Sequence, residues 1–231
     1  RQLIDEDKLG EIYHWRGAYQ QGWLVDPDVP VDWKLKKATA GAGPHWDLGS
    51  HAVDLAQYLN GDITSVQCKL KTFRDQRPDA SDPSKMAQVE VDDAALMMVE
   101  FANGSLGSIE TTRYATGRKN RHTFEISGSK GAMFWDMEDM NRIQFFDNTS
   151  DAKTAGWTDI MATDPSHPYM KYWPPGHIIG YEHAFINGVA DFLDAIAANE
   201  TIEPNFEDGV KIIRVLEAAI ESNEGGGIVQ L

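Results

Sequence analysis

The sequence predicts an α+β fold: a large, mainly antiparallel, open-faced sheet with helices packed on one face. Two observations carry this. Between residues 11 and 146, short apolar alternations are joined by hairpin turns, of which Asn103-Gly104 is the strongest. Two segments of helical period, 181–198 and 207–222, then close the chain. Hairpin-linked strands pair antiparallel, and strands followed by helices leave the helices on one side of the sheet.

Taken in order, Arg1-Gln2-Leu3-Ile4-Asp5-Glu6 reads as the middle of a helix that ends near Leu9-Gly10, so chain is expected upstream of Arg1. Residues 11–21 read as a strand bearing Ile12, Trp15 and Tyr19, with Trp23 just beyond it. Asp26-Pro27-Asp28-Val29-Pro30 forbids regular structure and forms an ordered loop leading to a glycine-rich turn at Gly41. The next helix carries an apolar stripe of Leu48, Ala52, Leu55, Ala56 and Leu59, with Asp47, His51, Asp54 and Tyr58 on the adjacent stripe. Asn60-Gly61 stops it. Strands follow at 63–73, 89–102, 105–114, 123–127, 133–136 and 142–146, giving about six or seven in all. Residues 75–85 form a Pro/Ser/Asp loop, 150–176 are irregular, and Gly225-Gly226-Gly227 ends the last helix before a terminal strand.

The 231 residues, 42% hydrophobic, can bury a substantial core. The net charge of −15 excludes nucleic acid and anionic membranes as natural partners, since both are held largely by basic side chains. The one basic cluster, Arg118-Lys119-Asn120-Arg121-His122, reads as a solvated hairpin end. A single cysteine, Cys68, rules out an intrachain disulfide and suits a small core position in a protein of the reducing cytoplasm. No apolar run approaches the ~20 residues that span a bilayer, and the first residues show no export signal.

The chemistry concentrates in Gly41-Ala-Gly-Pro-His-Trp-Asp47-Leu-Gly-Ser-His51-Ala-Val-Asp54. A carboxylate and an imidazole four residues apart share a helical face, and imidazole is the side chain that titrates nearest neutral pH. That is the composition of a proton-transfer pair. Spacing alone fits equally a capping carboxylate, Asp47 or a nearby Ser50, beside an incidental histidine. Gly41, Gly43 and Gly49 favour the chemical reading by allowing close approach at the helix start. Trp23 and Trp46 offer aromatic faces of the kind that stack on sugar rings. A metal-dependent sugar isomerase or hydrolase, with His45, Asp47 and His51 joined by His177 or His183, is a second class, although no compact metal-binding signature is present. His183, within an apolar helix, reads as a core histidine, whereas His177 after Pro174-Pro175-Gly176 is better exposed for function. A non-catalytic oligomerisation module is a third class. No glycine-rich dinucleotide turn follows a strand and opens a helix.

Three segments together resemble the Gfo/Idh/MocA oxidoreductases. Trp33-Lys34 leading into Gly41 to Asp54 looks like their W-R…G-G-G-x-L-x-D-x-G-x-H-x-x-D motif. Val91 to Glu110 is similar to their central hairpin, and Phe206 to Ser222 to their last helix. The resemblance covers the whole chain as a C-terminal domain alone. It implies the substrate-binding, catalytic and oligomerisation half, residues 1–231, of an NAD- or NADP-dependent dehydrogenase of sugars or cyclitols. An N-terminal Rossmann domain, absent here, would hold most of the cofactor. It further implies that His51 is the general acid/base and Asp47 a ligand to the substrate hydroxyl. Gln21, Trp23, Trp46 and His177 would line the substrate pocket, with Trp33 and Lys34 on the cofactor side. Lys34 stands where Arg is commoner, and Pro44-His45-Trp46 replaces small or aliphatic residues, so the resemblance carries over the acid/base assignment but not the cofactor-side contacts or the substrate identity. No resident metal is implied. The alone-standing chain is expected to be inactive, and the full protein a homodimer or homotetramer joined through the open sheet face.

Overall fold

The computed structural model describes residues 1–170 and 173–231. The chain runs α1 (Gln2–Asp5), β1 (Ile12–Gln20), α2 (Lys37–Ala40), α3 (Pro44–Asn60), β2 (Ile63–Lys71), β3 (Gln76–Pro78), β4 (Met86–Gln88), β5 (Ala94–Phe101) and β6 (Leu106–Thr112). It continues through β7 (Arg121–Gly128), β8 (Gly131–Asp136), β9 (Arg142–Asp147), β10 (Trp157–Met161), α4 (Tyr181–Ala198), α5 (Phe206–Gly225) and β11 (Val229–Gln230). Among the described residues, nine strands form one sheet in the order β10-β9-β8-β7-β1-β6-β5-β2-β11. Every neighbouring pair is antiparallel except β1 with β6.

That one parallel pair follows from the chain path. β1 leaves the sheet at Gln20, travels through the proline loop and α3, and returns only after the β2 and β5 strands, so β6 reaches its edge running the same way. α3 lies across β1, β5 and β6 and packs against α5, which covers β2. Alternation along the strands sorts the residues: Trp15, Met97, Val99, Phe101, Ile109, Phe124 and Ile126 face the helices and are buried. Trp15 anchors this core, stacked on Phe124 at 5.3 Å and edge-on to Phe101 at 6.5 Å. The opposite face carries Leu96, Met98 and Leu106, all exposed, among polar side chains such as Arg16 and Glu125, which pair at 2.8 Å.

Several expected boundaries move. The 75–85 loop contains β3, paired with β4 in a separate two-stranded ribbon; strands of three residues are too short to show a period. Arg77 of β3 is fully buried and donates to the carbonyls of Leu24, Asp26 and Val29, which staples the proline loop. β5 begins at Ala94 rather than 89, because the Asp92 and Asp93 carboxylates turn aside to cap backbone amides. β10 forms inside the segment read as irregular; it is an edge strand, largely exposed, with no buried alternation to betray it. The opening helix is one turn long, α1, and the chain turns through Leu9 before β1. Tyr172, placed in the irregular segment, lies outside the described residues. No helix among the described residues is long and apolar enough to cross a membrane.

Candidate active site

α3 follows the glycine-rich turn at Gly41, with Gly43 as N-cap and Pro44 in the first turn. Neither Asp47 nor Ser50 caps it. Asp92, arriving from the end of the β4–β5 connection, accepts from the Gly43 amide at 2.8 Å and the His45 amide at 2.9 Å. An anion at a helix N-terminus satisfies orphan donors and complements the helix dipole. The glycines admit close packing at the helix start. A Cβ at Gly43 would lie 1.9 Å from the Asp92 carbonyl oxygen, and Gly41 turns at a φ of 75° against the Trp46 ring.

With its start fixed by Asp92, α3 buries Leu48, Ala52, Val53 and Ala56 and turns Asp47 and His51 outward. His45 points the other way: it is fully buried, with Nε2 2.8 Å from the Leu216 carbonyl of α5, and burial pushes its pKa down. Asp47 is half exposed and accepts a short hydrogen bond from Arg113, whose side chain is only 2% exposed. Arg113, immediately after β6, also lies with its guanidinium 5.3 Å from the centre of the Trp23 ring. The Trp23 indole in turn donates to the Gln21 side chain at 2.9 Å, and Gln21 donates to Asn120 at 2.8 Å. Asn120 lies close enough to the Tyr19 hydroxyl to oppose the rise in its pKa.

Tyr19 connects this rim to the imidazole. Its ring meets His51 edge-on at 5.8 Å and stacks flat on His122 at 4.6 Å. Burial raises the Tyr19 pKa, with Tyr181 and Asp47 adding in the same direction. His122 is buried between Tyr19 and Trp135, and burial, reinforced by the nearby His51, lowers its pKa to about 4. It is neutral at physiological pH. On the other side of His51, an open cleft of 670 Å³ runs between α3, α4 and α5, walled mainly by apolar groups including Phe192, Ile196 and Ile212. Asp54 lines it, its pKa raised by burial against the opposing pull of His51, with Asp208 adding to the rise.

The sequence-predicted residues therefore divide. Asp47, His51, Gln21 and Trp23 share one network of contacts. Trp46 packs on the core and against Gly41. His177 is exposed, its ring nitrogen at 3.1 Å from the Pro174 carbonyl, within its own loop. His183 is no core histidine: its Nδ1 accepts from the Gly180 amide at 2.8 Å in the first turn of α4. Trp33 is 60% exposed, with the Lys34 ammonium 5.5 Å from its ring and 6.0 Å from that of Trp23. Among the described residues no group of three or more His, Cys, Asp or Glu is placed to hold a metal ion, and His45, His177 and His183 each bond elsewhere. Tyr19, Arg113, Asn120 and His122 were missed as site residues. The last two sit in the basic cluster read as a solvated end, where the alternation His122, Phe124, Ile126 was the available signal of a buried face.

A sheet covered on one face thus carries a helix with an exposed Asp/His pair, beside the indole of Trp23 and the amide of Gln21. The family model described as GFO/IDH/MocA C-terminal domain matches residues 1–134, and the chain belongs to that family. Levoglucosan dehydrogenase of Pseudarthrobacter phenanthrenivorans is 35% identical over 235 residues, covering 96% of this chain and 60% of the relative. The crystal structure of an oxidoreductase domain protein from Kribbella flavida superposes with a TM-score of 0.95 at 43% identity, over 99% of this chain and 62% of that one. A levoglucosan dehydrogenase structure in complex with NADH and levoglucosan gives a TM-score of 0.95 at 36% identity, over the whole of this chain and 61% of that one. The chain thus spans about three fifths of the length of the relatives it matches.

Proposed function

We propose that this chain is the substrate-binding and proton-transfer half of an NAD(P)-dependent oxidoreductase acting on a secondary hydroxyl of a sugar or cyclitol. The observation that supports it most is the exposed Asp47/His51 face of α3, joined through Arg113, Trp23, Gln21, Asn120 and Tyr19 into one polar-aromatic rim. One relative is a levoglucosan dehydrogenase and another an inositol 2-dehydrogenase, and a levoglucosan dehydrogenase structure carries NADH and levoglucosan.

The residues present fit only an edge of such a cofactor. Trp33 offers a flat exposed ring and Lys34 a cation, whereas no glycine-rich strand-to-helix turn for a pyrophosphate occurs among the described residues. The nicotinamide, when bound, supplies the hydride acceptor or donor. His51 takes the hydroxyl proton as the carbinol carbon is oxidised and returns it in the reverse direction. The Asp47 carboxylate accepts a hydrogen bond from the substrate hydroxyl. Trp23 presents a ring face and Gln21 an amide to the remaining hydroxyls, while buried Tyr19, stacked on neutral His122, backs the His51 imidazole without adding charge.

Within the same reading, a dinucleotide-binding domain precedes residues 1–231 in the whole protein, and the chain alone turns over no polyol. Exposed Leu96, Met98 and Leu106 on the open sheet face support a homodimer or homotetramer through that face. Cys68, buried with its thiol pushed up to about 12, is suited to the cytoplasm as an inert core group. The test is His51→Asn in the full-length protein. A fall in kcat/KM of about 10²–10⁴-fold is expected for loss of a general acid/base, and an unchanged kcat/KM overturns the assignment.

A further inference from the structure

We infer that Arg113 is the positioning residue for Asp47, an inference that rests on the functional reading above. A guanidinium is permanently charged, and its side chain here is 2% exposed. Its Nε and Nη1 have no hydrogen-bond partner among the described residues, and Asp47 is the one carboxylate there in ion-pair contact with it. A buried charge with one partner holds that partner strongly, because separation leaves the cation uncompensated. The contact engages Asp47 Oδ2 through Nη2 and leaves Oδ1 with no hydrogen bond among the described residues, available to a substrate hydroxyl.

The guanidinium is itself fixed. Its backbone is pinned on both sides, the Arg113 amide donating to the Asp93 carbonyl at 3.0 Å and the Leu24 amide donating to the Arg113 carbonyl at 3.2 Å. The Trp23 ring lies 5.3 Å away, locked through Gln21 to Asn120. Asp47 extends from the first turns of α3, half exposed and free to sample rotamers without this clamp. Arg113 therefore sets where the substrate hydroxyl is gripped relative to His51 one helical turn further on.

The test is a double-variant cycle in the full-length enzyme, using Arg113→Met, Asp47→Ala and their combination, with the sugar substrate that the enzyme turns over. Arg113→Met alone should lower kcat/KM about 10–100-fold, chiefly through KM, and in the Asp47→Ala background it should add less than about 3-fold, since coupled residues are non-additive. Arg113→Lys should recover part of the loss. A full multiplicative loss in the Asp47→Ala background, or a parental kcat/KM in Arg113→Met, overturns the inference. Should Arg113→Met not fold, the same cycle is run with Arg113→Lys, and the melting temperature of Asp47→Ala supplies a further readout. Stranding the buried guanidinium should lower it by about 3 °C or more, and an unchanged value overturns the inference. If Asp47→Ala leaves kcat/KM intact, it is the functional reading of Asp47 that fails.

Discussion

Two long helices of this chain have similar sequence character and opposite fates. α3 buries its stripe of Leu48, Ala52, Val53 and Ala56 between the sheet and α5, and keeps one face for chemistry. α4 has an apolar period at least as strong, yet Phe185, Ile186, Val189, Phe192, Leu193 and Ile196 are all exposed, and only Asn187 and Ala195 are buried. An apolar period specifies that a helix forms and that it will bury a face; what covers that face is decided elsewhere. For α3 the cover lies within this chain. For α4 it does not.

The contrast can be sharpened by substitution, and the largest effect belongs to the chemical face of α3. His51→Asn in the full-length protein should cost about 10³-fold in kcat/KM, or about 4 kcal/mol of transition-state stabilisation, with the melting temperature held. On the buried face, Leu48→Ala should destabilise by about 3 kcal/mol in denaturant unfolding. Supporting the same site, His122 stays neutral in the folded protein down to about pH 4, while the unfolded chain protonates it near 6.5. The unfolded state then binds more protons in that window, so stability is lost as pH falls from about 6.5 to 4, by at most about 3 kcal/mol from this residue. Burial of His45 acts in the same direction, and the raised carboxyls of Asp54 and Asp93 oppose it. His122→Phe should therefore flatten the fall in melting temperature relative to the parent. Asp92→Ala, which strands the Gly43 and His45 amides, should cost about 1–2 kcal/mol, read by denaturant unfolding. Smallest of all, Phe185→Ala on α4 should change the stability of this chain by less than about 0.5 kcal/mol. A cost like that of Leu48→Ala would break the comparison.

The hairpins, the end of α3 and the α4 period were legible because each is a local pattern: Asn103-Gly104, Asn60-Gly61, and the spacing of apolar residues. Asp47 and His51 were legible for the same reason, being one helical turn apart. Arg113 was not, because it is brought to Asp47 across 66 residues by the pairing of β6 with β1 and no short-range pattern encodes that meeting. Asp92 was hidden likewise, its capping role depending on where β5 starts relative to α3. Tyr19 was recognised as a strand residue, but its stacking on His122 depends on the β1–β7 register that places the two opposite each other. The basic composition around His122 masked a strand alternation that did point inward.

The claim that His51 moves the proton is tested most directly by chemical rescue of His51→Ala in the full-length enzyme. The imidazole side chain is exposed, so removing it leaves space that free imidazole can enter without disturbing the core beneath. Turnover should be lost without added imidazole and restored in proportion to its unprotonated form, rising with pH through the titration of free imidazole near neutrality. Parental turnover by His51→Ala in the absence of imidazole would contradict it.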